Sequence, residues 1–148
     1  MGRINHILHA TDFSTASRRA FTTAVDLART LKAKLTLVYV IAPLLPMAPE
    51  QYVDAGAFDR IEAQTRDWSA QQLTRLANRV RKAGVRVATE LREGDAATQI
   101  VRAAKSRRAD LIVVGTHGRG VIPKFFLGSV ADRVIKTATC PVTAVRGR

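Results

Sequence analysis

An unbroken apolar run, Leu111-Ile112-Val113-Val114, stops at Gly115 and is followed by Thr116-His117-Gly118-Arg119-Gly120. Being apolar at every position rather than at alternate ones, it reads as a strand buried on both faces of a parallel sheet. After a gap of nine residues past Gly118 come Gly128 and Ser129, which open a helical pattern carried by Val130, Val134 and Ala138. The order is therefore buried strand, glycine-rich loop, serine at a helix start. Glycines let backbone approach a ligand closely and adopt positive φ. A helix N-terminus presents unpaired N–H groups and a partial positive charge. Together they make an anion site, most simply a phosphate site. The same residues also serve plain architecture, with glycines punctuating a turn and a serine capping a helix.

The rest of the chain alternates in the same manner. Ile4 to Ala10 reads as a strand with a polar end, Thr11-Asp12. Ser14 is a candidate N-cap for a helix with Phe21, Ala24, Val25, Ala28 and Leu31 at helical spacing. Leu35 to Ile41 is a second buried strand, and Pro43, Pro46 and Pro49 make the next stretch a loop. A long helix is expected from about Phe58 to Ala83, with Phe58, Ile61, Thr65, Trp68, Leu76 and Val80 on one face and Gly84 as its stop. Trp68 on that face reads as core or interface. Val85 to Leu91 alternates as an edge strand with one wet face would. Asp95 is an N-cap candidate for a helix marked by Ala97, Ile100, Val101 and Ala104, and Val142 to Val145 is a last short strand. Strands alternating with helices require a parallel sheet with helices on both faces, joined by right-handed crossovers. The 148 residues, 47% of them apolar, suit a single α/β domain over 1–148 with one sizeable core.

Composition removes several function classes. One cysteine, Cys140, permits neither a disulfide framework nor a cysteine metal cluster within the chain, and its place before Pro141 reads as a buried, inert thiol. No apolar stretch reaches the length of a membrane span, and the first residues carry no secretory or myristoylation pattern, so a cytoplasmic protein with no membrane partner is expected. The 24 Lys and Arg against 12 Asp and Glu leave a net charge of +12. That balance fits an anionic partner or an arginine-rich solvated surface. The densest groups, Arg75-Arg79-Arg81-Lys82-Arg86 and Arg102-Lys105-Arg107-Arg108, fall on polar faces of expected helices and the turns after them. No nucleic-acid module motif occurs and only eight aromatics (five Phe, two Tyr, one Trp) are available for base stacking. The charge therefore reads chiefly as electrostatic background, not as a nucleic-acid interface.

In a doubly wound sheet, ligands bind beyond the carboxyl ends of the strands where strand order reverses. With the order 3-2-1-4-5, strands one and four flank that point, and Asp12 lies across from the glycine loop. A carboxylate there can accept from a ribose hydroxyl or an adenine amino group; equally it can cap the strand–helix turn. The chain has no G-x4-G-K-[ST], and the turn after strand one has no glycine, so neither the P-loop nor the dinucleotide fingerprint is present.

The spacing Gly115-x2-Gly118-x9-Gly128-Ser129 and the tail Leu127-Gly128-Ser129-Val130-Ala131-Asp132-Arg133-Val134-Ile135, then Cys140-Pro141-Val142, resemble the nucleotide loop of the universal stress protein family, in its ATP-binding branch. Ile7 to Ser14, Val38-Tyr39-Val40 and Arg92-Glu93-Gly94 resemble its other strand ends, so the likeness spans nearly the whole chain. It implies the Rossmann-like sheet of adenine-nucleotide alpha-hydrolase type, with ATP, with or without Mg²⁺, as ligand. By that likeness Asp12 faces the adenosine with Ala10 and Thr11 beside it, and Val40 meets adenine through its backbone. Gly115, Gly118, Gly128 and Ser129 hold ribose and phosphates, the Val130 N–H adds a donor, and Thr116, His117 and Arg119 lie within the loop. Arg119, always charged and able to bind bidentately, is the better phosphate partner, and His117 reads equally as a solvated loop residue. Two departures stand out: Ala10, where the branch often has proline, and the bulky Pro123-Lys124-Phe125-Phe126. The resemblance also implies a homodimer paired through Val142–Val145. The function it implies is a nucleotide-dependent module of the stress response. The alternatives are a slow ATPase or phosphotransferase, or a basic surface for nucleic acid or an acidic protein.

Overall fold

The computed structural model describes residues 2–43, 55–117 and 127–147. Strand and helix alternate as β1 (His6–Ala10), α1 (Arg18–Leu31), β2 (Lys34–Ile41), α2 (Ala55–Lys82), β3 (Val87–Glu93), α3 (Ala96–Ser106), β4 (Leu111–Gly115), α4 (Ser129–Thr137) and β5 (Val142–Val145). The strands form one sheet in the order β3-β2-β1-β4-β5, every pairing parallel. This is the expected α/β architecture, with β1 at the centre and the order reversing between β1 and β4. His9 stands opposite Leu37 on one side and Val113 on the other, and Ala10 opposite Val38 and Val114.

Because side chains alternate across a strand, each central strand feeds two cores. Ile7, Leu35, Leu37, Leu111 and Val113 pack with Phe21, Ala24 and Ala28 of α1 and with Leu73, Ala77 and Val80 of α2. Leu8, Val38, Ile112 and Val114 pack with Ala97, Ile100 and Ala104 of α3 and with Ala131 and Val134 of α4. Two helices thus cover each face. Alanines recur where helices press on the sheet: Ala20, Ala24, Ala28 and Ala103 are fully buried.

Several boundaries differ from the sequence reading, each for a local reason. β1 begins at His6 rather than Ile4, because the Asn5 and His6 amides donate to the Asp110 carboxylate, 2.9 and 3.0 Å away. β3 runs two residues later than expected, Val87–Glu93, and lies at the sheet edge as anticipated. α1 starts at Arg18 with Ser17 at the cap position, not Ser14. The Ser14 hydroxyl is engaged inside the turn, accepting from the Ser17 amide at 3.2 Å. Asp95 caps α3 as expected, accepting from the Thr98 amide at 3.1 Å.

The buried stripe of α2 matches the expected one only in part, at Val80 and at Leu76, which packs against the core. Ser69, Leu73, Ala77 and Val80 are buried, whereas Ile61 and Trp68 are 45% and 46% exposed. Trp68 instead stands edge-on to Phe13 with ring centroids 5.5 Å apart, and Phe13 in turn lies 4.5 Å from the Tyr39 ring. Phe13 holds φ 61°, a left-handed conformation uncommon for a bulky side chain, immediately after Asp12. Cys140 is partly buried against the α3–α4 core, and burial pushes its thiol pKa up, in keeping with an unreactive thiol.

Candidate functional site

At the carboxyl ends of β1, β2 and β4 the strands diverge and leave a cavity of about 370 Å³, walled on its far side by the starts of α3 and α4. Its position is the switch point of the sheet. Of the residues singled out in the sequence, Ala10, Thr11, Asp12, Val40, Gly115, Thr116, His117, Gly128, Ser129 and Val130 all line it. Segments more than a hundred residues apart are brought to one place. Gly118 and Arg119 lie outside the described residues, as do Pro46, Pro49 and the stretch Pro123-Lys124-Phe125-Phe126.

Hydrogen bonds fix each wall. The Thr11 amide donates to the Val38 carbonyl at 2.9 Å, tying the exit of β1 to β2. The Asp12 Oδ1 accepts from the Ser14 amide at 2.8 Å, and Thr11 Oγ1 accepts from the Phe13 amide at 3.0 Å. Asp12 therefore closes an Asx turn; it does not cap α1, which begins six residues later. The Thr116 amide donates to Val145 O at 2.9 Å, and the Gly128 amide to Thr116 O at 2.7 Å. The two ends of the glycine-rich segment are thereby pinned to each other and to β5. His117 is half-buried beside this pin, its Nδ1 2.7 Å from Thr116 Oγ1.

Gly115 and Gly128, the two of these glycines among the described residues, do not take up positive φ. Gly128 sits at the α4 cap position with φ −56°, open to any residue. A Cβ on Gly115 would meet the His117 carbonyl at 3.6 Å and Ser17 Cα at 3.8 Å, ordinary contact distances. No side chain caps α4, whose first intrahelical bond is Asp132 N–H to Gly128 O at 2.9 Å. Ser129 is the first helical residue, not the cap, and with Val130 it brings first-turn amides to the cavity edge.

Sequence reasoning missed Tyr39, Ala96, Ile100 and Val114 as lining residues. Their signal was positional, since each sits at a strand's carboxyl end or on the first turns of the helix opposite. α3 and α4 are held in register across the cavity by Arg133, whose guanidinium makes two 2.8 Å bonds to the two Asp95 oxygens. That pair, together with Thr98, holds the Asp95 carboxyl well below the usual carboxylate range.

Beneath the cavity two histidines are built into β1. His6 lies with Nδ1 3.0 Å from the Arg107 carbonyl and Nε2 2.8 Å from Thr36 Oγ1, and burial followed by Lys34 lowers its pKa. His9 is wholly buried and donates Nδ1–H to the Val113 carbonyl at 2.9 Å; its Nε2 has no partner among the described residues. Burial lowers its pKa to about 4, so it stays neutral at physiological pH.

Apolar walls with a few polar groups at one end suit a small organic ligand with an anionic part, and the volume falls within the ~300–1,000 Å³ of such sites. Among the described residues no cluster of three or more His, Cys, Asp or Glu could hold a metal, and no helix is long and apolar enough to cross a membrane.

Similarity to known proteins covers the whole of this framework. A universal stress protein of Methanocaldococcus jannaschii is 34% identical over 142 residues, covering 95% of this chain and 81% of that protein. The structure of the universal stress protein UspA from Lactobacillus plantarum is 28% identical, superposes with a TM-score of 0.81 and covers 99% of this chain and 100% of its own. A universal stress protein whose crystal structure is a complex with cAMP is 26% identical with a TM-score of 0.66, covering 99% of this chain and 100% of its own. The model of the universal stress protein family matches residues 3–146, and with the sheet order and the site at its switch point, the chain belongs to that family.

Proposed function

We propose that the cavity binds an adenine nucleotide, ATP, and that the chain is a nucleotide-dependent regulatory module of the stress response rather than a dedicated enzyme. The observation that carries this reading is the convergence of Asp12, Val40, Gly115 and Gly128-Ser129-Val130 on one cavity at the switch point. The pieces match the parts of the ligand. Val38, Ile100 and Val114 form an apolar slot for a flat base, with the Val40 backbone along its edge. The Asp12 carboxylate is an acceptor for a ribose hydroxyl or the adenine amino group. The start of α4, uncapped by any side chain, faces the phosphates. A Mg²⁺ ion would travel on the phosphates. A relative that holds cAMP supports an adenine ligand and makes the phosphate chain the point to test.

The regulatory reading is favoured over hydrolysis by what lines the cavity. Asp12 is its one carboxylate among the described residues, it is engaged in the Asx turn, and it is assigned here to the adenosine end. Among the described residues no carboxylate is thereby left to orient a water at a terminal phosphate, and His117, also on the lining, is held by Thr116 Oγ1.

We also infer a homodimer through β5. Of the two sheet edges, β3 carries Glu90, Arg92 and Glu93, charges that discourage strand addition, whereas β5 is Val-Thr-Ala-Val.

The test of the nucleotide reading is to denature freshly purified protein and identify the released small molecule by chromatography and mass spectrometry. Near-stoichiometric ATP or ADP is expected, and AMP or cAMP in its place would redirect the assignment. In stripped protein, Gly128→Val should weaken ATP binding by about tenfold or more by filling the space at the α4 start. Stripped wild-type protein that binds no adenine nucleotide at millimolar concentration would overturn the proposal.

A further inference from the structure

A second cavity, of about 310 Å³, opens on the other face of the sheet, between the start of α1 and the middle of α2. Its floor is Phe21 and Leu76, both part of the α1–α2 core. Around it stand three arginines. Arg18 is the first residue of α1, and Arg75 and Arg79 are four apart and so share one face of α2. The Arg79 guanidinium lies over the Phe21 ring, 4.9 Å from its centroid, a contact that orients its planar fork.

These three cations have no acidic counterpart among the described residues. Among the described residues, carboxylates pair with Arg29, Arg66, Arg92, Arg107, Arg133 and Lys136, and none with Arg18, Arg75 or Arg79. No Asp or Glu lines the cavity. Like charges gathered round one concavity repel each other, and a bound anion relieves that repulsion. The nearby hydroxyls contribute little: Ser17 Oγ donates to Ser14 O at 2.9 Å, and Ser14 Oγ accepts from the Ser17 amide. Recognition therefore falls to the guanidinium groups, which match phosphate oxygens bidentately. Other basic groups of the surface, such as Arg102 and Lys105 on α3, border none of the cavities described here.

We infer that this cavity is a second ligand site, adjoining the nucleotide cavity at Thr11 and Ser17, which border both, for a small organic phosphate. Its phosphate lies among Arg18, Arg75 and Arg79, and its apolar body rests on Phe21 and Leu76. The inference does not depend on what occupies the first cavity.

The experiment is a ¹⁵N-NMR titration of the full chain with inorganic pyrophosphate as probe, at low and at high salt. Saturable shifts are expected at the amides of Arg18, Gln72, Arg75 and Arg79, with affinity falling as salt rises. The exposed double variant Arg75→Gln/Arg79→Gln should weaken this response by about tenfold or more, since each removes a charge-assisted contact. Arg18→Gln, made separately on the other helix, should weaken it too, so that a folding defect in one variant does not decide the matter. Thermal melts matching wild type certify each variant. The inference is overturned by any of four results. These are an absent response, shifts confined to Gly115 and Ser129–Val130, an unsaturated response that includes Arg102 and Lys105 equally, or well-folded variants that bind as wild type.

Discussion

His9 concentrates in one side chain the conflict between a polar residue and a buried position. Its Nδ1–H is satisfied by Val113 O, while its Nε2 lone pair faces an interior that offers no donor among the described residues. The neutral ring bears this cost; a protonated ring would bear a far larger one. The folded pKa, about 4, therefore lies below the unfolded value near 6.5. The native state binds fewer protons between those values, so this contribution to stability is complete above pH 6.5 and is lost as pH falls towards 4. The shift corresponds to about 3 kcal/mol at most. His6, lowered in the same direction, adds to the trend. Chemical denaturation of wild type should show stability falling from pH 7 to pH 4.5, ahead of carboxylate titration. His9→Gln should be less stable than wild type at pH 7.5, with the gap narrowing by pH 4.5. A gap that stays constant would remove His9 from the account.

Helix α2 illustrates how far an element can be read from its own sequence. Its existence and its stop before Gly84 were plain from periodicity, but the face it buries only in part, at Leu76 and Val80. Twenty-eight residues make a helix about 42 Å long, whereas the eight residues of β2 span about 26 Å. About two-fifths of the helix therefore overhangs the sheet, and Ile61 there finds no layer to enter, while Trp68 at the sheet's end packs only on Phe13. Only from Ser69 onward does the sheet bury one stripe. Leu73→Ala should accordingly cost about 2–5 kcal/mol in a denaturant melt, and Ile61→Ala no more than about 0.5 kcal/mol. Equal losses would restore the face expected from sequence. The turn chemistry was hidden for a related reason. Whether Ser14 or Ser17 begins α1 depends on where Asp12 sends its carboxylate, and no helical period reports that. Strand β5 was legible in both position and character, and its uncharged edge gives the third expectation. The carbonyls of Pro141 and Val145 accept from β4, so Thr143 between them also faces β4 and Ala144 faces outward; Ala144→Pro therefore removes an edge donor and should convert a dimer to monomers in sedimentation equilibrium. An unchanged mass would exclude pairing through β5.

At the scale of the molecule, alternation pointed to the parallel sheet, while the strand order, and with it the place of the candidate site, rested on the family likeness carried by the glycine spacing. The second cavity had no such signal. Arg18 is separated from Arg75 and Arg79 by the whole of β2, and nothing in a linear reading joins them or pairs either with Phe21. The surplus of positive charge was visible as a number and becomes meaningful only as a distribution. The strand order also carries a consequence in time. β1 is made first and sits in the centre, paired early with β2, but its other neighbour, β4, begins about a hundred residues later. At ~5–20 residues per second of synthesis, the open flank of β1 waits roughly 5–20 s for Leu111 to Gly115 to emerge. For that interval the ring of His9 lacks the Val113 carbonyl that accepts its Nδ1–H hydrogen bond. The newborn chain holds its middle strand half-dressed until three-quarters of it has been made.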